Sequence, residues 1–295
     1  MSLPPPGINQ AFCDVSALEA GYVTAPLACF LTDVGDDEFF TVPTLSFLVR
    51  HHANDDTVIF DLGLRKEWKK LPPGLVSYFT EQLHFQLNIK QDVVDSLAQG
   101  GTKPSDIKRV FISHLHFDHF GDAALFPTSQ FFVGEGGRAL VADGYPKNPS
   151  SFLPIDLLNA LPKERTRFLD VASAPALGPF PHALDFYGDG SLYIVDAPGH
   201  LPGHINVLAR TSADGGWIYL AADSVHDWRI MTGEGKISTE PFCIHANKAQ
   251  AEVTIERIRE VNKIPRVRVL LAHDRPWYDL NKGGDAYWPG EIKSL

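Results

Sequence analysis

The run His114-Leu115-His116-Phe117-Asp118-His119 sets four potential metal ligands within six residues. Zinc and similar metals take neutral imidazole nitrogens together with a few carboxylate oxygens. In a core the same side chains would each have to be desolvated and satisfied, so such a run has little use there. The run Arg109-Val110-Phe111-Ile112, apolar after its first residue, comes just before it. If a strand there continues through Ser113 to His116, its period of two points His114 and His116 to one side. Asp118 and His119 then fall just past the strand end, where a turn can aim them at a second point nearby.

Three further pieces stand at the ends of apolar runs. Tyr193-Ile194-Val195-Asp196 breaks into Ala197-Pro198-Gly199-His200-Leu201-Pro202-Gly203-His204, a Pro/Gly-rich turn with two histidines. Trp217-Ile218-Tyr219-Leu220-Ala221-Ala222 ends in Asp223, and Val267-Arg268-Val269-Leu270-Leu271-Ala272 ends in His273. Ligands at several strand ends fit a site built along one edge of a sheet sandwich.

On these motifs the chain resembles the metallo-β-lactamase-fold hydrolases, over nearly its whole length and in the same order. His114, His116, Asp118 and His119 match that family's HxHxDH motif, His204 closes a TPGHxxGH-like turn, Asp223 matches the bridging Asp, and His273 matches the last His. Asp61, in Val58-Ile59-Phe60-Asp61-Leu62-Gly63, resembles the early Asp-x-Gly that lies beneath the metals and orients the first motif. An Asp after an apolar strand can also simply cap a turn. The resemblance implies an α+β fold, an αββα four-layer sandwich of two mixed β-sheets flanked by helices. It implies two divalent ions, Zn first, with Fe, Mn or Co also suited to these ligands. His114, His116 and His204 would hold one ion, Asp118, His119 and His273 the other, and Asp223 would bridge them. His200 reads as a turn residue beside the ligand His204.

The charges agree with that ligand set. Two divalent ions contribute about +4, and Asp118, Asp223 and a bridging hydroxide about −3, which leaves room to stabilise one developing negative charge. The implied reaction is attack of the metal-bridging hydroxide on a carbonyl, with Asp118 carrying a proton to the leaving group. Within the family, a Cys at position 223 or a missing bridge would mark the zinc β-lactamases. Glyoxalase II-like thioesterases carry a helical C-terminal extension, for which Asp274 to Leu295 is too short. The nearest resemblance is to the N-acyl homoserine lactone lactonases and related lactone or lactam hydrolases. Those lactonases commonly have a Tyr three residues after the bridging Asp, where this chain has His226. An imidazole also donates and can act as a general acid, so the expected substrate is a cyclic ester or amide, a lactone or γ-lactam, bicyclic aromatic ones included. Asp118 and His226 are the expected catalytic residues, with His226 and Trp228 also touching substrate. Trp228, Phe47 and Trp277 otherwise read as core aromatics. The alternatives are a thioesterase or other acyl hydrolase, or a mononuclear iron oxidoreductase of the sulfur dioxygenase kind.

Composition narrows the partners. A net charge of −10 argues against nucleic acid. No apolar run approaches the roughly 20 residues that span a bilayer, and nothing marks secretion. Cys13, Cys29 and Cys243 are odd in number and widely spaced, so a disulfide framework is not expected and the cytoplasm is the default compartment. A chain of 295 residues, 44% hydrophobic, can bury one large core, so 1–295 reads as a single domain.

These ligands must be positioned by strands, expected near 45–50, 57–61, 108–114, 130–133, 192–196, 205–210, 217–222 and 267–272. A helix near 90–99 should end at Gly100-Gly101. Another, 248–262, should open at Asn247, with Ala251, Ile255, Ile258 and Val261 on its buried face. Residues 1–40 read as an N-terminal arm. The Pro-rich stretch 145–186 reads as a lid or insertion loop, a homodimer contact, or an ordinary surface excursion. His51, His52, His84, His182 and His245 have no partner pattern and read as structural or surface residues.

Overall fold

The computed structural model describes residues 2–35, 37–142, 144–149, 163–240 and 242–295. Of the stretch 145–186 expected to be a lid or insertion loop, residues 150–162 lie outside the described ones, and the later part is no loop: Thr166–Leu169 and Ala183–Asp185 are strands, one at an edge of each sheet. Two mixed sheets form the centre. The first contains β1 (Cys13–Pro26), β2 (Phe39–His51), β3 (Thr57–Phe60), β4 (Gln86–Asn88), β5 (Arg109–Ile112), β6 (Gln130–Gly134) and β7 (Thr166–Leu169), in the order β4-β1-β2-β3-β5-β6-β7. The second contains β8 (Ala183–Asp185), β9 (Leu192–Asp196), β10 (Ile205–Arg210), β11 (Trp217–Leu220) and β12 (Val267–Leu270), in the order β12-β11-β10-β9-β8. Strands β3, β5, β6 and β7 run parallel, as do β11 and β12; the remaining pairs are antiparallel.

Alternation along the strands creates the four layers. Phe47, Phe60, Phe111, Ile218 and Leu220 bury their side chains in one core with Ile194 and Val207, between the sheets. Their neighbours Leu48, Ile59, Val110, Ile112 and Tyr219 belong to a second core, under the helices. Side chains that point alternately to opposite faces force this division. The helix Lys248–Asn262 lays Ala251, Ile255, Ile258 and Val261 on the second sheet, and Asn247 caps it by accepting from the Gln250 N–H. The helix Val93–Gln99 opens with a reciprocal Asp92/Asp95 box and ends at Gly100, as its sequence signals required.

Two further expectations were wrong in their bounds. Residues 1–40 are not an arm: β1 lies inside the first sheet, between β4 and β2. Its register shifts between Glu19 and Tyr22, where Gly21 takes φ 94°, so the inward face changes phase midway and the alternation is hard to see in sequence. Strand β5 stops at Ile112 instead of running to residue 114. Beyond it, the Ser113 N–H turns to Asp61 Oδ1 at 2.6 Å, and the Ser113 carbonyl accepts from Ile205 of the second sheet. No helix among the described residues is long and apolar enough to cross a membrane.

Candidate metal centre

The site lies where several strands of both sheets end. Asp61 follows β3, the His114–His119 turn follows β5, His200 sits between β9 and β10, Asp223 follows β11, and His273 follows β12. The His119 and Phe120 N–H groups both donate to the His116 carbonyl, closing the turn that brings the motif together.

Three groups of donors result. His114, His116, His200 and Asp223 form one, Asp118, His119 and His273 a second, and the buried His200, His226 and His245 a third that shares His200 with the first. In the first, His116 Nδ1 is 2.9 Å from His114 Nε2 and 3.0 Å from His200 Nε2. In the second, His273 Nε2 is 3.5 Å from Asp118 Oδ2. Asp223 faces both. Its Oδ1 lies 3.2 Å from His119 Nε2 and 3.4 Å from His273 Nε2, while its Oδ2 lies 3.6 Å from His200 Nε2 and 3.8 Å from His114 Nε2. Asp61 is buried beneath them, accepting from the Ser113 hydroxyl and facing His119 Nδ1 at 2.8 Å.

His204 does not join the first group; His200 does. The His204 ring is fully buried 4.9 Å from the His114 ring, and neither of its nitrogens finds a hydrogen-bond partner. Both histidines follow a Pro-Gly pair, so their local signals are alike. Packing separates them. Gly199 takes φ 132°, and a Cβ there would meet the Ala251 backbone nitrogen at 2.3 Å, so the turn is pressed against the start of the helix Lys248–Asn262. Gly203 is packed as tightly against another segment, a Cβ there meeting the Gly137 backbone nitrogen at 2.4 Å, so the two halves of the turn are held by different neighbours.

Electrostatics favour cations here. Burial, reinforced by neighbouring imidazoles, pushes His114 and His200 well below the usual histidine range and His116 to about 4, so the first group presents neutral imidazoles. At His119 burial opposes the charged form, yet Asp223, Asp118 and Asp61 outweigh it and raise the pKa well above normal. His273 is raised in the same way, mainly by Asp223 and Asp118 against burial. The second group thus calls for positive charge. His119 Nε2 and Asp223 Oδ1 are buried without a well-aligned hydrogen-bond partner, which is a costly arrangement unless a cation takes both. The nitrogen and oxygen donors present fit two divalent ions.

The remaining expected residues divide. His226 lines the site, its Nε2 3.1 Å from Asp223 Oδ2. His245, expected to be structural or surface, is buried with its Nδ1 3.3 Å from His200 Nδ1. Trp228 is not a pocket wall: its indole N–H donates to Asp274 Oδ1 at 2.9 Å. Phe47 and Trp277 belong to the core between the sheets. A cavity of about 440 Å³ opens over His116, Asp118, Asp223, His226 and His273. Its other walls are almost wholly apolar, including Phe30, Phe79, Phe85, Phe117 and Phe242, with Tyr78 and Cys243 the exceptions. No Lys or Arg lines it among the described residues.

A family model described as the metallo-beta-lactamase superfamily matches residues 40–214. The chain is 32% identical to the cytochrome P450 monooxygenase mpaDE' of Penicillium brevicompactum, over 98% of this chain and 36% of that protein. It is also 32% identical to gamma-lactamase FDB1 of Fusarium pseudograminearum (strain CS3096), over 76% of this chain and 56% of that protein. The chain therefore spans only about a third to a half of the length of these relatives. A solved structure of a B. thuringiensis AiiA mutant with N-decanoyl-L-homoserine bound is similar with a TM-score of 0.73, at 16% identity, covering 95% of this chain and 98% of that one.

Proposed function

Because this chain belongs to the metallo-β-lactamase superfamily, we propose that it is a dinuclear metal-dependent hydrolase that opens an uncharged cyclic ester or amide, a lactone or γ-lactam. The observation that carries the reading is Asp223, whose two oxygens face two separate His/Asp groups on the floor of an apolar cavity. His114, His116 and His200 would hold one ion, Asp118, His119 and His273 the other, with Asp223 shared. When bound, such ions supply Lewis acidity and lower the pKa of water from 15.7 to about 7.

The chain's own residues do the rest. Asp118 sits at the cavity floor and can carry a proton to the leaving oxygen or nitrogen. His226 stands beside Asp223 on the cavity wall, where its imidazole is placed to meet the substrate carbonyl or leaving group. The phenylalanines hold the acyl or aromatic part and exclude water. Phe79 and Phe117 stack at 4.5 Å and 15° on one wall, which suits a flat ring. Among the described residues no Lys or Arg lines the cavity, so a carboxylate or phosphate held against its apolar walls, away from the ions, would be buried unpaired, at a cost of several kcal/mol. The similarity to a protein named as a gamma-lactamase, and the fold shared with a solved N-acyl homoserine lactone lactonase, support this class.

The test is a panel of neutral lactones, γ-lactams and thioesters offered to zinc-loaded protein, with metal content measured alongside. Turnover of cyclic substrates with two ions per chain is expected. Thioester turnover alone would replace the substrate class, and a single iron per chain would favour an oxidoreductase.

A further inference from the structure

An imidazole that binds a cation through one nitrogen carries its hydrogen on the other, and whatever accepts that hydrogen fixes the tautomer and the ring plane. Three of the proposed ligands have an oxygen at the rear nitrogen. His119 Nδ1 faces Asp61 Oδ2 at 2.8 Å, His273 Nδ1 faces the Pro43 carbonyl at 2.9 Å, and His114 Nδ1 faces Ser113 Oγ at 3.0 Å. His200 departs from that pattern, because its Nδ1 meets another imidazole, His245 Nδ1, at 3.3 Å.

The placement of His245 is built in. It is buried, and the two residues after it clamp the turn that holds His200. The Ala246 N–H donates to the His200 carbonyl and the Asn247 N–H to the Gly199 carbonyl, both at 2.9 Å. His245 is therefore held in fixed relation to His200 by the same segment that starts the helix Lys248–Asn262.

We propose that His245 is the positioning residue for His200: its Nδ1 accepts the His200 Nδ1 hydrogen and thereby turns His200 Nε2 toward His114, His116 and Asp223. This rests on the reading above that His200 is a metal ligand. It requires His245 to be the Nε2–H tautomer, with an Nδ1 lone pair free to accept. A neutral imidazole is a weaker rear acceptor than the Asp61 carboxylate, so His200 is a less strongly polarised ligand than His119.

Two substitutions and one spectroscopic measurement test it. His245→Leu fills the space but removes the acceptor, whereas His245→Asn can keep an acceptor atom close to where Nδ1 lies. Zinc dissociation constants are measured by chelator competition for the wild type and both variants. His245→Leu is expected to weaken one of the two ions by about 10–100-fold and leave the other nearly unchanged, with His245→Asn recovering most of the loss. Equal weakening in both variants would show a space-filling role, and wild-type affinity in His245→Leu would end the proposal. If His245→Leu does not fold, nitrogen-15 imidazole spectra of the zinc-loaded wild type decide alone. The Nε2–H tautomer at His245 with Nδ1–H at His200 is expected, and Nδ1–H at His245 overturns it. A wild type that binds no pair of zinc ions would instead defeat the metal-centre reading, a result visible before any variant is made.

Discussion

Asp61 Oδ2 lies 2.8 Å from His119 Nδ1 while its Oδ1 accepts the Ser113 N–H at 2.6 Å, so one buried carboxylate ties the end of β3 to the motif that follows β5. Asp61→Asn keeps the size but substitutes an amide N–H₂ for one acceptor oxygen. The ion proposed at Asp118, His119 and His273 should bind about 10–100-fold more weakly, as read by chelator competition. Unchanged affinity would reduce Asp61 to a turn residue.

His200 and His204 should separate cleanly. His200→Ala is expected to lose one ion per chain by elemental analysis. His204→Ala should keep both ions yet lower the melting temperature, because emptying a fully buried ring site costs about 2–4 kcal/mol. The reverse outcome would restore His204 as the ligand.

Asp118→Asn should lower kcat by about 100-fold or more while changing KM only a few-fold, since an amide cannot carry a proton to the leaving group. Comparable kcat in the variant, with both ions bound, would end that role.

His226 is tied to Asp223 at 3.1 Å and touches the cavity. His226→Phe should slow ring opening by about 10–100-fold with metal content intact. A rate equal to that of the wild type would leave His226 as packing beside Phe30, whose ring centre is 5.4 Å away.

Charge on the substrate offers a separate check. A lactone bearing a side-chain carboxylate should show kcat/KM on the order of 100-fold below its methyl ester, because among the described residues no Lys or Arg stands on the apolar walls away from the ions to meet it. Equal values would mean that the acidic group stays in solvent and that the apolar walls do not set specificity.

Donor types and their places at strand ends were legible along the chain, because periodicity and spacing are local properties that survive without a fold. The sequence also marked the helix caps at Asn247 and Gly100, which depend on neighbouring residues alone. Tertiary structure decided what local signals could not. Strand β1 was hidden by the phase change at Gly21, and its place inside the sheet comes from pairing with β2 and β4, which lie some distance along the chain. Two Pro-Gly-His triplets in one turn look equivalent along the chain, and only the packing of Gly199 on the helix Lys248–Asn262 and of Gly203 on Gly134–Gly137 gives His200, not His204, its place among the donors. His245 acquires its contact with His200 only when residues 45 positions apart are brought together. The apolar cavity, whose walls come from segments between Val23 and His273, exists only as a product of long-range packing.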